Sequence, residues 1–242
     1  MEKSVPRYDA VFFDSGGTLF DPSAQNPSMQ EVVDRRIDRL AAAVRVFGID
    51  AEPGRLEQAH EALYGRMEHE LGPRFSYYLL LLRVVEELRL PLSKEQTAIV
   101  TVAYAGPRYR HWVFPDTHEL LGRVTEAGIY LGLIANTAWP GFAMHTALTG
   151  VGLGRYFDTM VISCDEGVAK PDPAIFRAAR RRAGLTDTAR VLYVGDDIEK
   201  DIRGAKNVGW DAALRRSSAP TSAGLADFEF DHSLELLPFV FG

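Results

Sequence analysis

The chain has 242 residues, of which 46% are hydrophobic and 25% charged, with a net charge of −6. That length can bury a full core and exceeds the commonest single-domain size, so an insertion or a second lobe is expected in an otherwise ordinary soluble globular protein. The negative charge argues against nonspecific nucleic-acid binding, and the single cysteine, Cys164, excludes an intramolecular disulfide framework.

Residues 1–9 hold no apolar core of signal-peptide length, so the expected setting is cytoplasmic. The run Ala10-Val11-Phe12-Phe13 has no helical period and stops at Asp14-Ser15-Gly16-Gly17-Thr18. It reads as a buried strand delivering a carboxylate to its carboxyl end, where open α/β sheets hold their ligands. Gly16 and Gly17 remove Cβ atoms where the backbone must turn or approach a ligand, and the Thr18 hydroxyl is expected to tie the turn. An Asp-x-Gly-Gly after a strand is also an ordinary turn, so the rest of the chain must decide.

Apolar residues then recur at helical spacing over 30–47, 53–71 and 75–90, and a fourth helix is predicted after Ser93. The longest apolar tract, 77–85, is broken by Arg83 and is far short of a membrane span. Tyr64, Phe75, Tyr77 and Tyr78, with Arg66 and Arg74, either line a pocket or pack this helical block's own core.

From about Asp116 helix and strand alternate as far as Ala213, the pattern of a parallel sheet covered by helices on both faces. A helix over 120–128 leads into the strand-like Leu131-Gly132-Leu133-Ile134-Ala135-Asn136, and a further apolar run is Val161-Ile162-Ser163, with a buried thiol expected at Cys164. Lys170-Pro171-Asp172-Pro173 precedes an amphipathic helix from about Ala174, where a lysine can offer a point charge to an anion. Val191-Leu192-Tyr193-Val194 is another strand, closed by Gly195-Asp196-Asp197 and followed by Asp201.

If these strand tips converge, Asp14, Asp196, Asp197 and Asp201 cannot crowd together as anions without a counter-charge. A hard divalent cation with oxygen ligands, Mg²⁺, is then required. The alternative is that Asp197 and Asp201 sit at the start of a helix, favoured by its dipole. The basic clusters Arg177, Arg180 to Arg182 and Arg215-Arg216 read as solvated faces, residues 217–224 as a loop, and the tail from Phe228 as a sheet edge with a last helix.

The ordered set Asp14-x-Gly16-x-Thr18, Lys170-Pro171 and Gly195-Asp196-x-x-x-x-Asp201 resembles the haloacid dehalogenase-like hydrolase superfamily over essentially the whole chain. The resemblance implies a Rossmann-like parallel-sheet core formed by residues 1–21 and 113–242, with an all-helical cap inserted over 22–112 and hinged at 20–27 and 106–115. It further implies that Asp14 is the nucleophile on phosphorus, that Mg²⁺ is held by Asp14, the Gly16 carbonyl and Asp196, and that Lys170 neutralises charge. The same resemblance implies that Asn136 and Thr137 join Lys170 in binding the phosphate of a small-molecule substrate, and that Thr18, Asp197 and Asp201 support the ligating groups.

Two positions depart from the pattern of the family's phosphatases. Ala135 stands where they carry a phosphate-binding hydroxyl. Gly16 stands where a second Asp protonates the leaving group and then activates water, a contribution of roughly 10²–10⁴ in rate. Other branches carry Tyr, Ala or Thr at that place, and one of them needs a cap lysine, for which Lys94 is the sole candidate in the block. The expected activity is Mg²⁺-dependent phosphomonoester or acyl-phosphate hydrolysis, weakened by Gly16. The alternatives are a ligand-binding or regulatory protein and a biosynthetic transferase or lyase reusing Asp14. A histidine of the block, His60, His69 or His111, is the candidate replacement for the lost acid.

Overall fold

The computed structural model describes residues 6–24, 28–107, 112–216 and 221–242. Its centre is a six-stranded sheet, ordered β3-β2-β1-β4-β5-β6, in which every pairing is parallel. The strands are β1 (Ala10–Phe13), β2 (Tyr130–Ala135), β3 (Thr159–Ile162), β4 (Val191–Gly195), β5 (Asp211–Arg215) and β6 (Phe228–Phe230). Successive strand residues face opposite sides of the sheet. Val11, Phe13, Leu133 and Val194 therefore join one core cluster, and Ala10, Phe12, Ile134 and Tyr193 the other.

Helices α6 (Thr117–Glu126) and α7 (Gly141–Gly150) cover the first face through Leu121, Val124 and Leu148, and α9 (Pro173–Arg182) covers the second through Ile175 and Phe176. Each such side chain taken wholly out of water is worth about 1.5–3 kcal/mol. The short α8 (Ser163–Glu166) begins directly at the tip of β3, so Ser163 opens a helical turn and does not extend the strand. Cys164 on that turn is only half-buried, and burial still pushes its thiol up to about 12. Beyond β4, one wide helical turn over Ile198–Arg203 runs into α10 (Gly204–Lys206); β6 closes the sheet edge and α11 (Leu237–Phe241) ends the chain.

Between β1 and α6 the regular elements among the described residues are helices joined by turns. The helix predicted over 30–47 is two, α1 (Met29–Asp34) and α2 (Arg36–Val46), divided at Arg35, whose ψ of 6° interrupts the turn. α1 starts on a reciprocal Ser28–Glu31 capping box. α3 (Pro53–Leu71) has its proline at the first position, where a missing N–H costs nothing. α4 (Tyr77–Glu87) is capped by Ser76, and α5 (Lys94–Ala105) by Ser93 with Gln96 closing the box. Among the described residues, no helix is long and apolar enough to cross a membrane.

The two chain segments joining this block to the sheet run side by side: Asp21 N–H donates to Trp112 O at 2.7 Å and Phe114 N–H to Leu19 O at 3.1 Å. Residues 25–27 and 108–111 of the two predicted hinges, His111 among them, and 217–220 of the predicted loop lie outside the described residues. One basic pair departs from the solvated-face expectation. Arg216 is exposed, but Arg215 ends β5 facing inward and is 4% exposed.

Candidate active site

In this strand order the chain leaves β1 toward β2 and β3, then crosses back to β4, so the topological switch lies between β1 and β4. A crevice opens there because the crossover connections depart in opposite directions. Asp14 is the first residue past β1, its N–H donating to Val194 O at 2.8 Å, and Asp196 is the first past β4. Three of the four carboxylates predicted to converge do so: Asp14, Asp196 and Asp201 each offer an oxygen within 4.8 Å of the others, and Asp197 is not among them.

Lys170 is the cation at their centre. Its side chain is 2% exposed, and Nζ donates to Asp14 Oδ1 at 2.6 Å, Asp201 Oδ1 at 2.7 Å and the Tyr193 hydroxyl at 2.8 Å. An ammonium has three donors, and all three are committed. Tyr193 in turn donates to Ile134 O at 3.1 Å. Burial alone would lower the Lys170 pKa, but Asp14 and Asp201 outweigh it and hold the ammonium above its ordinary value.

One ammonium does not balance three carboxylates. Burial, opposed by Lys170 and reinforced by Asp201, lifts Asp14 to about 6, and burial with the charges of Asp14 and Asp201 lifts Asp196 to about 7. Carboxyls that hold protons this tightly mark a surplus of negative charge in a site of hard oxygen donors, which fits a divalent cation. Asp201 is the least available donor, because its second oxygen accepts the N–H groups of Asp196 at 3.1 Å and Asp197 at 3.0 Å.

Asp197 acts as the helix-start residue of the alternative reading. It caps the following turn by accepting from Glu199 N–H and Lys200 N–H and pairs with Lys200 at 2.7 Å. Burial would raise it, but those partners hold it below the usual carboxylate range.

The glycine turn after β1 is held by backbone bonds, Gly17 N–H to Phe20 O at 2.7 Å and Leu19 N–H to Ser15 O at 2.9 Å. The Thr18 hydroxyl is buried without a hydrogen-bond partner, so it does not tie the turn as expected; the tight backbone ladder leaves it facing the interior. Gly17 has φ +80°, and a Cβ there would lie 2.0 Å from Asp196 Oδ2. Gly16 is exposed, and a Cβ on it would meet nothing within 4 Å.

Asn136 reaches the pocket, but both ends of its amide close on the Lys170 backbone: Nδ2 donates to Lys170 O at 2.9 Å and Oδ1 accepts from Lys170 N–H at 2.8 Å. Its visible work is to hold the Lys170 segment. Thr137 lines the pocket too, with Oγ1 accepting from Trp139 N–H at 3.1 Å and its own N–H given to Ser163 Oγ at 2.9 Å.

The pocket over this cluster measures about 390 Å³, and besides the predicted groups its walls include Met29, Trp139 and Lys200. Sequence reasoning missed these three along with Tyr193 and Arg215. Tyr193 carried a readable signal, a phenol inside an otherwise apolar strand, which needs a polar partner when buried. Arg215 Nη1 donates to Thr18 O at 3.1 Å and Ser233 Oγ at 2.7 Å, tying the nucleophile turn to the C-terminal segment.

Tyr64, Phe75 and Tyr77 take the packing alternative, while Tyr78 meets Phe142 of α7 edge-on at 5.5 Å between centroids. Tyr64, Phe75 and Tyr77 pack on one another, and Tyr77 stacks on Trp139 of the sheet region with centroids 4.2 Å apart. Arg66 lines a separate groove between α3 and α4, and Arg74 packs over Gly167. Neither His60 nor His69 lines the pocket: His60 is buried against the Tyr104 hydroxyl at 2.7 Å, and His69 is exposed on α3. Lys94 is exposed at the start of α5, also outside the pocket.

The sequence pattern of the haloacid dehalogenase-like hydrolases matches residues 8–209, and the chain belongs to that family. It is 30% identical over 238 residues to a glyceraldehyde 3-phosphate phosphatase of Methanopyrus kandleri, covering 96% of each chain. Over 97 residues, 39% of this chain and 41% of the other, it is 46% identical to pyrimidine 5'-nucleotidase YjjG of Escherichia coli. Among solved structures, a HAD phosphatase from Thermococcus onnurineus superposes with a TM-score of 0.59 at 26% identity, over 97% of this chain and 98% of that one.

Proposed function

We propose that the protein is a Mg²⁺-dependent hydrolase of small phosphorylated molecules, phosphomonoesters or acyl phosphates, in which Asp14 attacks phosphorus. The observation that carries this reading is the buried contact of Lys170 with Asp14 and Asp201 at 2.6 and 2.7 Å, set beside Asp196 at the switch point. The names of the relatives, a sugar-phosphate phosphatase and a nucleotidase, support the same substrate class.

In this reading Asp14, the carbonyl of Gly16 and Asp196 hold Mg²⁺, which supplies charge neutralisation at the phosphoryl oxygens. Lys170 keeps Asp14 ionised and oriented, while Asp201 and Tyr193 keep Lys170 in place. A carboxylate oxygen of Asp14 forms a bond to phosphorus as the ester bond breaks, giving an aspartyl-phosphate. Water then attacks that phosphorus, the bond to Asp14 breaks, and inorganic phosphate leaves.

Residues 22–112 serve as the cap, with the segments about 20–27 and 106–115 as its hinges. The Tyr77–Trp139 stack closes it on the sheet region, and Met29 reaches into the pocket. The single cysteine fits a reducing, cytoplasmic setting. Gly16 and Ala135 favour one second reading, a protein that binds a phosphorylated ligand without turning it over; a transferase reusing Asp14 would need an acceptor in place of water.

The test is release of p-nitrophenol from its phosphate ester, with and without Mg²⁺. Slow hydrolysis that is lost in Asp14→Asn and on chelation is expected. Equal rates for wild type and Asp14→Asn would overturn the reading, and Mg²⁺-dependent binding of a phosphorylated metabolite with no product would favour the second.

A further inference from the structure

Among the described residues, the pocket holds the means to attack phosphorus and to balance charge, but no group placed to hand a proton to what leaves. Lys170 gives its three N–H bonds to Asp14, Asp201 and Tyr193. Lys200 at the rim donates to Asp197 at 2.7 Å. Asp201 accepts at both oxygens, from Lys170 and from two backbone N–H groups, and Asp197 accepts from two backbone N–H groups and Lys200. Asp196 is committed to the cation in the reading above. Ser15 and Thr137 offer only hydroxyls, which hold their protons too tightly to act as acids near neutral pH.

The remaining stretch of wall is Gly16, where an added Cβ would have no neighbour within 4 Å. There is room for an acid beside the nucleophile, and none is present among the described residues.

We infer, resting on the phosphatase reading, that the protein's substrates are those whose leaving group departs as a stable anion, acyl phosphates and activated aryl phosphates, and that alkyl phosphates such as those of sugars and nucleosides are poor substrates. The substrate preference of this chain then differs from what the names of its relatives convey. In the first step an Asp14 oxygen bonds to phosphorus, the P–O bond to the leaving group breaks, and its electron pair stays on the departing oxygen. That oxygen leaves as carboxylate or aryloxide and takes any proton later from bulk water. In the second step water attacks phosphorus, the bond to Asp14 breaks, and the water's surplus proton goes to solvent.

The experiment measures kcat/KM, which reports on the step that breaks the leaving-group bond, for acetyl phosphate, for aryl phosphates whose phenols have pKa values from about 7 to about 10, and for glycerol phosphate. In the wild type kcat/KM is expected to fall by about 10²–10⁴ from the most to the least activated aryl ester, the span that a positioned acid would otherwise supply. Gly16→Asp is expected to flatten that dependence, raising the ratio of kcat/KM at the poorly activated end to that at the activated end by at least about tenfold.

Hydrolysis of the whole series within about tenfold would overturn the inference while leaving the phosphatase reading intact, and so would a Gly16→Asp gain that is equal for every substrate. Absence of turnover even with acetyl phosphate would remove both. If Gly16→Asp fails to fold, the wild-type series decides alone.

Discussion

Replacing Lys170 with methionine keeps most of the stem and removes the ammonium from a pocket in which that side chain is 2% exposed. With contacts of 2.6 Å to Asp14 and 2.7 Å to Asp201, each attraction is roughly 6 kcal/mol at an effective dielectric constant of about 20. Most of that offsets the cost of burying the charges, so the gross figure is not the loss. What remains after the deletion is three carboxylates within 4.8 Å of one another and no cation; proton uptake relieves them in part. Removing one member of a buried pair typically costs about 3–5 kcal/mol, which for a chain of this size lowers the melting temperature by about 6–20 °C.

Urea unfolding followed by circular dichroism, in chelator, is the direct measurement. Asp201→Asn should be costly in the wild type and much less so beside Lys170→Met, with a coupling of about 1–3 kcal/mol. A loss below about 1 kcal/mol for Lys170→Met, or strictly additive losses in the double variant, would refute the picture of Lys170 as the charge centre of the site.

Two adjacent glycines should behave oppositely. Gly17→Ala puts a Cβ at φ +80° and 2.0 Å from the Asp196 carboxylate, so a loss of at least about 2 kcal/mol is expected. Gly16→Ala enters open space and should be within about 1 kcal/mol of wild type; equal urea midpoints for the two variants would contradict this.

His60, 1% exposed, has its pKa lowered to about 4 by burial and by the charge of Arg36. Between pH 6.5 and 4 the unfolded chain takes up a proton that the folded one refuses, so stability falls as pH drops through that window, by about 3 kcal/mol in all. In His60→Gln that part of the slope should vanish, and unfolding curves that stay parallel to wild type from pH 7 to pH 4 would sink the assignment.

The sheet was legible because its strands are short apolar runs that end in polar turns, and Asp14, Lys170 and Asp196 were legible because those turns place them at strand tips. What escaped depended on side-chain facing across distant segments. Arg215 reads as one of a surface pair, yet period-two alternation at the end of β5 turns it inward onto Thr18 O while Arg216 faces out. Apolar spacing showed that 30–47 is helical but gave no sign of the break at Arg35, since both halves keep the same buried stripe through Val32, Leu40 and Val44. The tyrosines of the helical block were undecidable by type alone, because a phenol suits a core seam as well as a pocket wall.

Ala135 ends β2 without a hydroxyl, and the residues around it are fixed by other bonds. The Ser163 hydroxyl of the adjacent strand tip accepts from the Thr137 N–H and donates back to Thr137 O at 3.2 Å. The segment beyond β2 is thereby fixed, and Asn136 is free to clamp the Lys170 backbone at 2.8 and 2.9 Å. That clamp preserves the placement of Lys170 but takes up the side-chain groups the β2 tip would otherwise turn toward an anion. On the proposed reading, a phosphate in this pocket has one hydrogen-bond donor fewer at the β2 tip and leans more on the cation. Its affinity should accordingly depend on Mg²⁺ more steeply than in an Ala135→Thr variant, as titration calorimetry with inorganic phosphate at stepped Mg²⁺ concentrations would show; identical Mg²⁺ dependence in the two proteins would mean that the lost hydroxyl was never a phosphate ligand here.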